Sequence, residues 1–213
     1  MSDFIIHGLA GSPYVQAVLI TLAEKGESAT LHPPGPTGLK AQPHLSRHPF
    51  GMIPALEHGD FTLYETQAIL RYLDRLLPNP PLTPSDIRQA ARMDQVMNIA
   101  DHYLMNRVNR IIGFQRIVGP MLMGLTPDLA VIAEAMPHGH TVFKVLNDLL
   151  ANQPFFAGNT LSLADILALP HLNMLARTPE WAELTASTPN LTAWRTAMNT
   201  RPSVSRLAPP AAP

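Results

Sequence analysis

The sequence predicts an α/β domain followed by an all-helical domain within 213 residues. Three observations carry that reading. Short apolar runs alternate with a helical pattern up to His32, prolines interrupt the chain around residue 80, and beyond Asp86 the apolar residues recur only at helical spacing.

The elements follow in order. "FIIHG" reads as a strand. In "GSPYVQAVLITLAEKG", Val15, Val18, Leu19 and Leu22 stand at the spacing of one helix face, which predicts a helix over Pro13–Lys25. Ser12 is then the N-cap, its oxygen expected to accept from the amide at N2 or N3, and Pro13 at N1 loses no needed donor. "SATLHP" is a second strand. Prolines and Gly38 in residues 33–43 forbid a regular element, so an exposed, mobile loop carrying Lys40 is expected. "MIPAL" and "FTLYE" flank Glu57–Asp60 as a hairpin, and a helix follows with Ile69, Tyr72, Leu73 and Leu76 on one face. The whole reads as βαβαββα over residues 1–78.

"PNPPLTPSD" breaks every pattern, which sets a linker at 79–85, a helical domain at 86–208 and a frayed tail at 209–213. Helices are expected through "IRQAARMDQVMNIADHYLMNRVNRII", through Asp128–Leu150 with a kink or split at Pro137, and in the last third. In "NTLSLADI", Ser162 and Asp165 form an acidic capping box, with Leu161 and Ile166 as its hydrophobic staple.

Composition narrows the function. Hydrophobic residues make up 46% of the chain, and a net charge of −1 without long runs of either sign gives no basic groove for nucleic acid and no basic membrane patch. No apolar run has the length of a membrane span, and "MSDFIIHGLAGSP" carries an acid where a secretion signal has basic residues, so a cytoplasmic location is expected. The absence of cysteine excludes disulfides, thiolate metal sites and a protein thiol nucleophile. Any sulfur chemistry must use a ligand's sulfur.

Asn98, His102, Asn106 and Asn109 recur at spacings of four, four and three, a polar stripe that borders solvent, a partner or a cleft. Met97, Met105, Met121 and Met123 stand near it as core filling or as an adaptable binding surface. The histidine pairs of "HLSRH" and "PHGH" lack a third ligand, and Pro43 and Pro49 argue against helical i, i+4 geometry in the first, so no metal site is expected. "GPTGLK" fails the phosphate-loop spacing.

Three stretches, "SPYVQAVLITLAEKG", "HLSRHPFGMIPALEHGDFTLYETQAILRYL" and "FFAGNTLSLADI", resemble the first helix, the glutathione-binding unit and the C-terminal capping motif of the glutathione transferases. The layout is most similar to the serine-type, phi-like group, because Ser12 falls at the start of the first helix and His7 stands where the tyrosine type has its phenol. The resemblance implies a thioredoxin-like first domain with glutathione as co-substrate and Ser12 as the catalytic donor to its sulfur. It implies a cis bond before Pro54, with the Ile53 backbone pairing the cysteinyl backbone as a one-residue strand addition. Thr66 would hold the γ-glutamyl carboxylate at a helix mouth, Glu65 the ammonium, and Lys40 the glycine carboxylate. Met52 stands where the phi-like pattern prefers glutamine, and Leu39 where a histidine is often found.

The resemblance further implies a hydrophobic, electrophilic acceptor met by Leu9, Tyr14, His102, Asn106 and Asn109, with the electrophile between the loop "HGLAG" and the long helix after the linker. A homodimer is implied as well, with Phe50 at the position of the aromatic key that some members insert into the partner. Two other functions stay open at this point: thiol-dependent reduction or isomerisation, and a non-catalytic binding or scaffold protein on the same fold.

Overall fold

The computed structural model of the chain describes residues 3–35 and 38–207; Pro36 and Thr37 of the expected loop, and the expected tail at 209–213, lie outside the described residues. The chain divides into two compact units, one running to Leu82 and resuming at Thr200, the other spanning Thr83–Asn199.

In the first unit, β1 (Phe4–His7), β2 (Thr30–His32), β3 (Ala55–His58) and β4 (Phe61–Tyr64) form one sheet in the order β2-β1-β3-β4. β1 runs parallel to β2, with Ile6 opposite Leu31, and β3 is antiparallel to both β1 and β4. The parallel pair requires a crossover, supplied by α1 (Pro13–Glu24). The short α2 (His44–Arg47) packs against β4, and α3 (Thr66–Leu76) closes the unit against α1. The element order is βαβαββα, and Ile6, Val15, Val18, Leu56, Ile69, Leu70 and Leu73 are sealed from solvent.

The inward face of α3 differs from the expected one. Leu76 is 40% exposed, while Asp74 points inward. Lys25 draws it there: the Lys25 ammonium lies 2.6 Å from Asp74 Oδ1, and both side chains are buried. Lys25 also donates to the Pro80 carbonyl at 2.6 Å, and Asp74 accepts from the Leu82 amide at 2.9 Å. These extra bonds offset the desolvation of a buried pair. They also fold residues 80–82 onto the first unit, so the boundary falls after Leu82 and not at the start of the expected 79–85 linker.

The end of the helical domain is corrected in the same way. Arg201 grips Glu24 through two bonds of 2.8 Å, and Ser203 donates to the same carboxylate. Thr200–Leu207, with α10 at Pro202–Ser205, therefore belongs with α1 and not with the expected domain 86–208. The arginine partner holds the Glu24 carboxyl below the usual range despite its burial.

The second unit is all helix. α4 (Ile87–Ile99), capped by Asp86, passes without a break into wider π-helical turns over Ala100–Val118 and then into α5 (Gly119–Met123). α6 (Leu129–Leu150), α7 (Leu163–Leu175), α8 (Trp181–Thr185) and α9 (Pro189–Asn199) complete it. α6 runs as one helix through Pro137; its buried face of Ile132, Ala135, Gly139, Val142, Phe143 and Leu146 spans the proline on both sides. Among the described residues no helix is long and apolar enough to cross a membrane.

The expected capping box at α7 forms: the Ser162 side chain accepts from the N3 backbone amide, and the Asp165 carboxylate accepts from the Ser162 amide at 3.0 Å. The Ser162 hydroxyl also donates to Asp165 at 2.8 Å. The Phe156 amide and Trp194 Nε1 donate to the other oxygen, each at 3.0 Å. Asp165 thus joins the loop before α7 to α9.

Candidate functional site

The first-unit candidates lie on, or in the case of Lys40 against, three connections. Ser12 follows β1: its amide bonds the Leu9 carbonyl and its own carbonyl accepts from Gln16, both at 2.9 Å, which sets the chain into α1. The backbone there is extended, φ −74° and ψ 127°, as an N-cap requires, yet the side chain makes no capping bond. This corrects the expectation that the Ser12 oxygen caps the helix. Cap identity fixes the backbone bend without fixing where the hydroxyl turns, and here it is not spent on α1. Leu9 is exposed and Tyr14 half-buried on either side of it.

The second connection joins α2 to β3. Lys40 donates to the Phe50 carbonyl at 2.7 Å and remains exposed. The close approach depends on Gly51, at φ +59°, where an added Cβ would sit 2.7 Å from both the Leu39 carbonyl oxygen and Lys40 Cδ. His44 Nε2 lies 2.7 Å from the Met52 carbonyl oxygen; a carbonyl only accepts, so that nitrogen carries a proton. The Met52 side chain is exposed. The Ile53–Pro54 bond is cis, as expected, and among the described residues no backbone hydrogen bond engages Ile53. Its amide and carbonyl form an open edge beside β3.

The third connection leads from β4 into α3. Glu65 has φ +71° and ψ 112°, a left-handed backbone that costs a residue with a side chain roughly 1–3 kcal/mol. That strain turns the chain so that Thr66, buried, opens the first turn of α3 while the Glu65 side chain stays exposed. The amides of that turn and the helix dipole favour an anion.

His48 is the residue that sequence reasoning missed. Pro43 stands before α2 and Pro49 after it, so the two prolines bracket one helical turn without breaking it, and the His48 amide bonds the His44 carbonyl at 2.9 Å. The expectation that "HLSRH" lacks helical spacing is therefore corrected: the His44 and His48 rings stack with centroids 6.4 Å apart. His48 is buried, its ring centroid is 4.9 Å from that of Tyr64, and among the described residues its Nδ1 has no hydrogen-bond partner. Burial pushes its pKa below the usual histidine value, opposed by the nearby charge of Glu65 and assisted by His44 and Lys40. Among the described residues no three His, Cys, Asp or Glu side chains could hold a metal ion.

His7 is committed elsewhere. Its Nε2 lies 3.0 Å from Glu57, which Arg47 also binds at 2.7 Å, and burial pushes the imidazole below its ordinary value.

The polar stripe of the second unit divides. Asn98, His102 and Asn106 are exposed, but Asn109 is buried and donates to the His171 carbonyl at 3.1 Å, with His171 Nδ1 at 3.2 Å. Asn109 is thereby corrected from acceptor contact to core residue. In turns bonded over five residues, as Gly119 to Phe114 is, a step of three falls on a different face from a step of four. Burial pushes the His171 pKa down to about 3, so its imidazole is neutral at physiological pH.

The family model of the glutathione S-transferase N-terminal domain matches residues 6–81, and that of the glutathione S-transferase C-terminal domain matches residues 96–202. The chain belongs to the glutathione S-transferase family. Glutathione S-transferase 4 of Zea mays is 32% identical over 205 residues, covering 95% of this chain and 91% of its own. The crystal structure of glutathione transferase F7 from Populus trichocarpa superposes with a TM-score of 0.86 at 28% identity, over 96% of this chain and 97% of the other. Glutathione S-transferase-I bound with lactoylglutathione gives 0.86 at 30% identity, over 96% and 98%. The N-terminal family match contains Ser12, Lys40, Met52, Ile53, Pro54, Glu65 and Thr66, and in this transferase the first unit brings all seven to the three connections just described.

Proposed function

We propose that this transferase binds glutathione on its first unit, stabilises the thiolate with Ser12 and directs it at an electrophilic small molecule. The observation that carries the reading is the Ser12 hydroxyl, set at the N-terminus of α1 and not used in capping it. Its proton is available to a thiolate, and the helix terminus adds favourable potential for the negative sulfur. The open Ile53 edge takes the cysteinyl backbone, Thr66 and the first amides of α3 the γ-glutamyl carboxylate, Glu65 the ammonium and Lys40 the glycine carboxylate. Met52 contributes its backbone position; its thioether accepts only weakly where an amide would grip. Leu9 and Tyr14, on either side of Ser12, contact the acceptor. The protein works in the cytoplasm as a homodimer.

Retention on glutathione resin, together with conjugation of a dinitrohalobenzene, tests the activity; a protein that does neither is not a transferase of this kind. Glu65→Ala should raise the KM for glutathione about tenfold to a hundredfold, the loss of a charge-assisted contact, with an unchanged unfolding midpoint. A collapse of stability at unchanged KM would make Glu65 structural.

Phe50, 65% exposed on the first unit, is the proposed key to the dimer. Sedimentation should give a dimer for the wild type at micromolar concentration and a weakened one for Phe50→Ala; an unaltered dimer in the variant removes Phe50 from that role.

A further inference from the structure

A cavity of about 380 Å³ opens in the second unit, and none of its lining residues is among those placed above in glutathione binding. Its one wall is α4, which presents Arg88 and Arg92 one turn apart with Gln89 between them; the other is the end of α6 and the turn that carries Gln153 and Asn159. No aspartate or glutamate among the described residues lines it. Among the described residues neither guanidinium forms an ion pair: Arg92 donates to Gln95 at 2.7 Å, and the Arg88 guanidinium has no partner.

The far wall is rigid. Phe155 and Gly158 exchange two backbone bonds of 3.2 Å, and the Phe156 amide between them is held by the buried Asp165. Gly158 has φ +122°, and a Cβ there would stand 2.9 Å from Gln89 Nε2, so the turn lies against α4 as only glycine allows. Two uncompensated guanidiniums and three side-chain amides converge on a volume in the range of small-ligand pockets.

We propose that this cavity binds a soluble phosphate monoester. Arg88 and Arg92 present forked N–H donors that match phosphate oxygens bidentately, and the amides of Gln89, Gln153 and Asn159 complete the shell. Leu149 and Ala157 offer an apolar wall to the esterified group. The concave shape, in a chain of net charge −1, favours a small solute over a membrane headgroup.

Calorimetric titration of the full chain with phenyl phosphate tests this, beside vesicles of phosphatidic acid in phosphatidylcholine. Saturable binding is expected that weakens with salt, falls at least about tenfold in Arg88→Gln/Arg92→Gln, persists in saturating glutathione and leaves basal conjugation unchanged. If that variant fails to fold, the guanidinium NMR signals of Arg88 and Arg92 in the wild type should shift on adding phenyl phosphate. The proposal is overturned by the absence of saturable binding, by equal affinity in the variant, by displacement with glutathione, by binding to vesicles alone, or by unshifted arginine signals.

Discussion

Asp165→Ala should cost the protein at least about 3 kcal/mol of stability, against a total of roughly 5–15 for a typical fold. The substitution strands four buried donors at once: the amides of Phe156 and Ser162, the Ser162 hydroxyl and Trp194 Nε1. Urea unfolding followed by tryptophan fluorescence reads the loss where Trp194 reports it. A variant as stable as the wild type would mean that the four donors find other partners.

The same residue sets a pH dependence. Burial pushes the Asp165 carboxyl up to about 6, and four donors to the charged form do not fully offset that desolvation. Because the folded value lies above the unfolded one, about 3.9, the contribution of Asp165 to stability is fully present below that lower value and is lost as pH rises through about 6. Two units correspond to roughly 3 kcal/mol. On protonation the carboxyl donates to the Ser162 hydroxyl, which can accept as readily as it donates. Urea midpoints of Asp165→Asn should lack this slope between about pH 4 and 6, while groups common to both proteins cancel. Parallel curves for the two proteins would contradict the assignment.

Ser12→Ala should separate chemistry from folding. With no capping bond to lose, its stability should stay within about 0.5 kcal/mol of wild type. Glutathione affinity should change by no more than a few-fold, because the contacts proposed for Ile53, Glu65, Thr66 and Lys40 with the tripeptide are left in place. The apparent pKa of kcat/KM should rise by about one to two units, the stabilisation a donor gives a thiolate.

The size of the rate effect is bounded. With free cysteine's value of about 8.5 as a stand-in, a shift to about 6.5 raises the thiolate fraction near neutral pH roughly 25-fold. The lower basicity costs about eightfold in nucleophilicity for a Brønsted coefficient of about 0.45, so the net gain is about threefold. Positioning of thiolate and electrophile therefore supplies most of the acceleration. In the variant the acid limb of the profile should move, while activity at high pH should remain close to wild type.

The backbone path was legible in the sequence wherever periodicity and turn chemistry agreed. The strand and helix order of the first unit and the start of α3 at Thr66 rest on such local signals, while the cis bond before Pro54 came with the family resemblance. Long-range pairings left no local signal. Arg201 with Glu24 and Lys25 with Asp74 move the boundaries of the units, yet each joins residues far apart in sequence. Asn109 was misplaced because a spacing rule for α-helix was applied to π-helical turns. The Ser12 hydroxyl was assigned to capping because serine at an N-cap commonly bonds the first turn, and residue type does not encode a side-chain rotamer. His48 escaped because its interest lies in burial and an unpartnered nitrogen, which only packing reveals.

The ultraviolet absorbance of the thiolate, titrated with pH on the glutathione complexes of wild type and Ser12→Ala, tests the role of Ser12 most directly. The account predicts a bound-thiol pKa in the wild type well below the free value, and a value about one to two units higher in the variant at similar glutathione affinity. Identical titrations in the two proteins would contradict it and would show that another group, such as Tyr14, stabilises the sulfur.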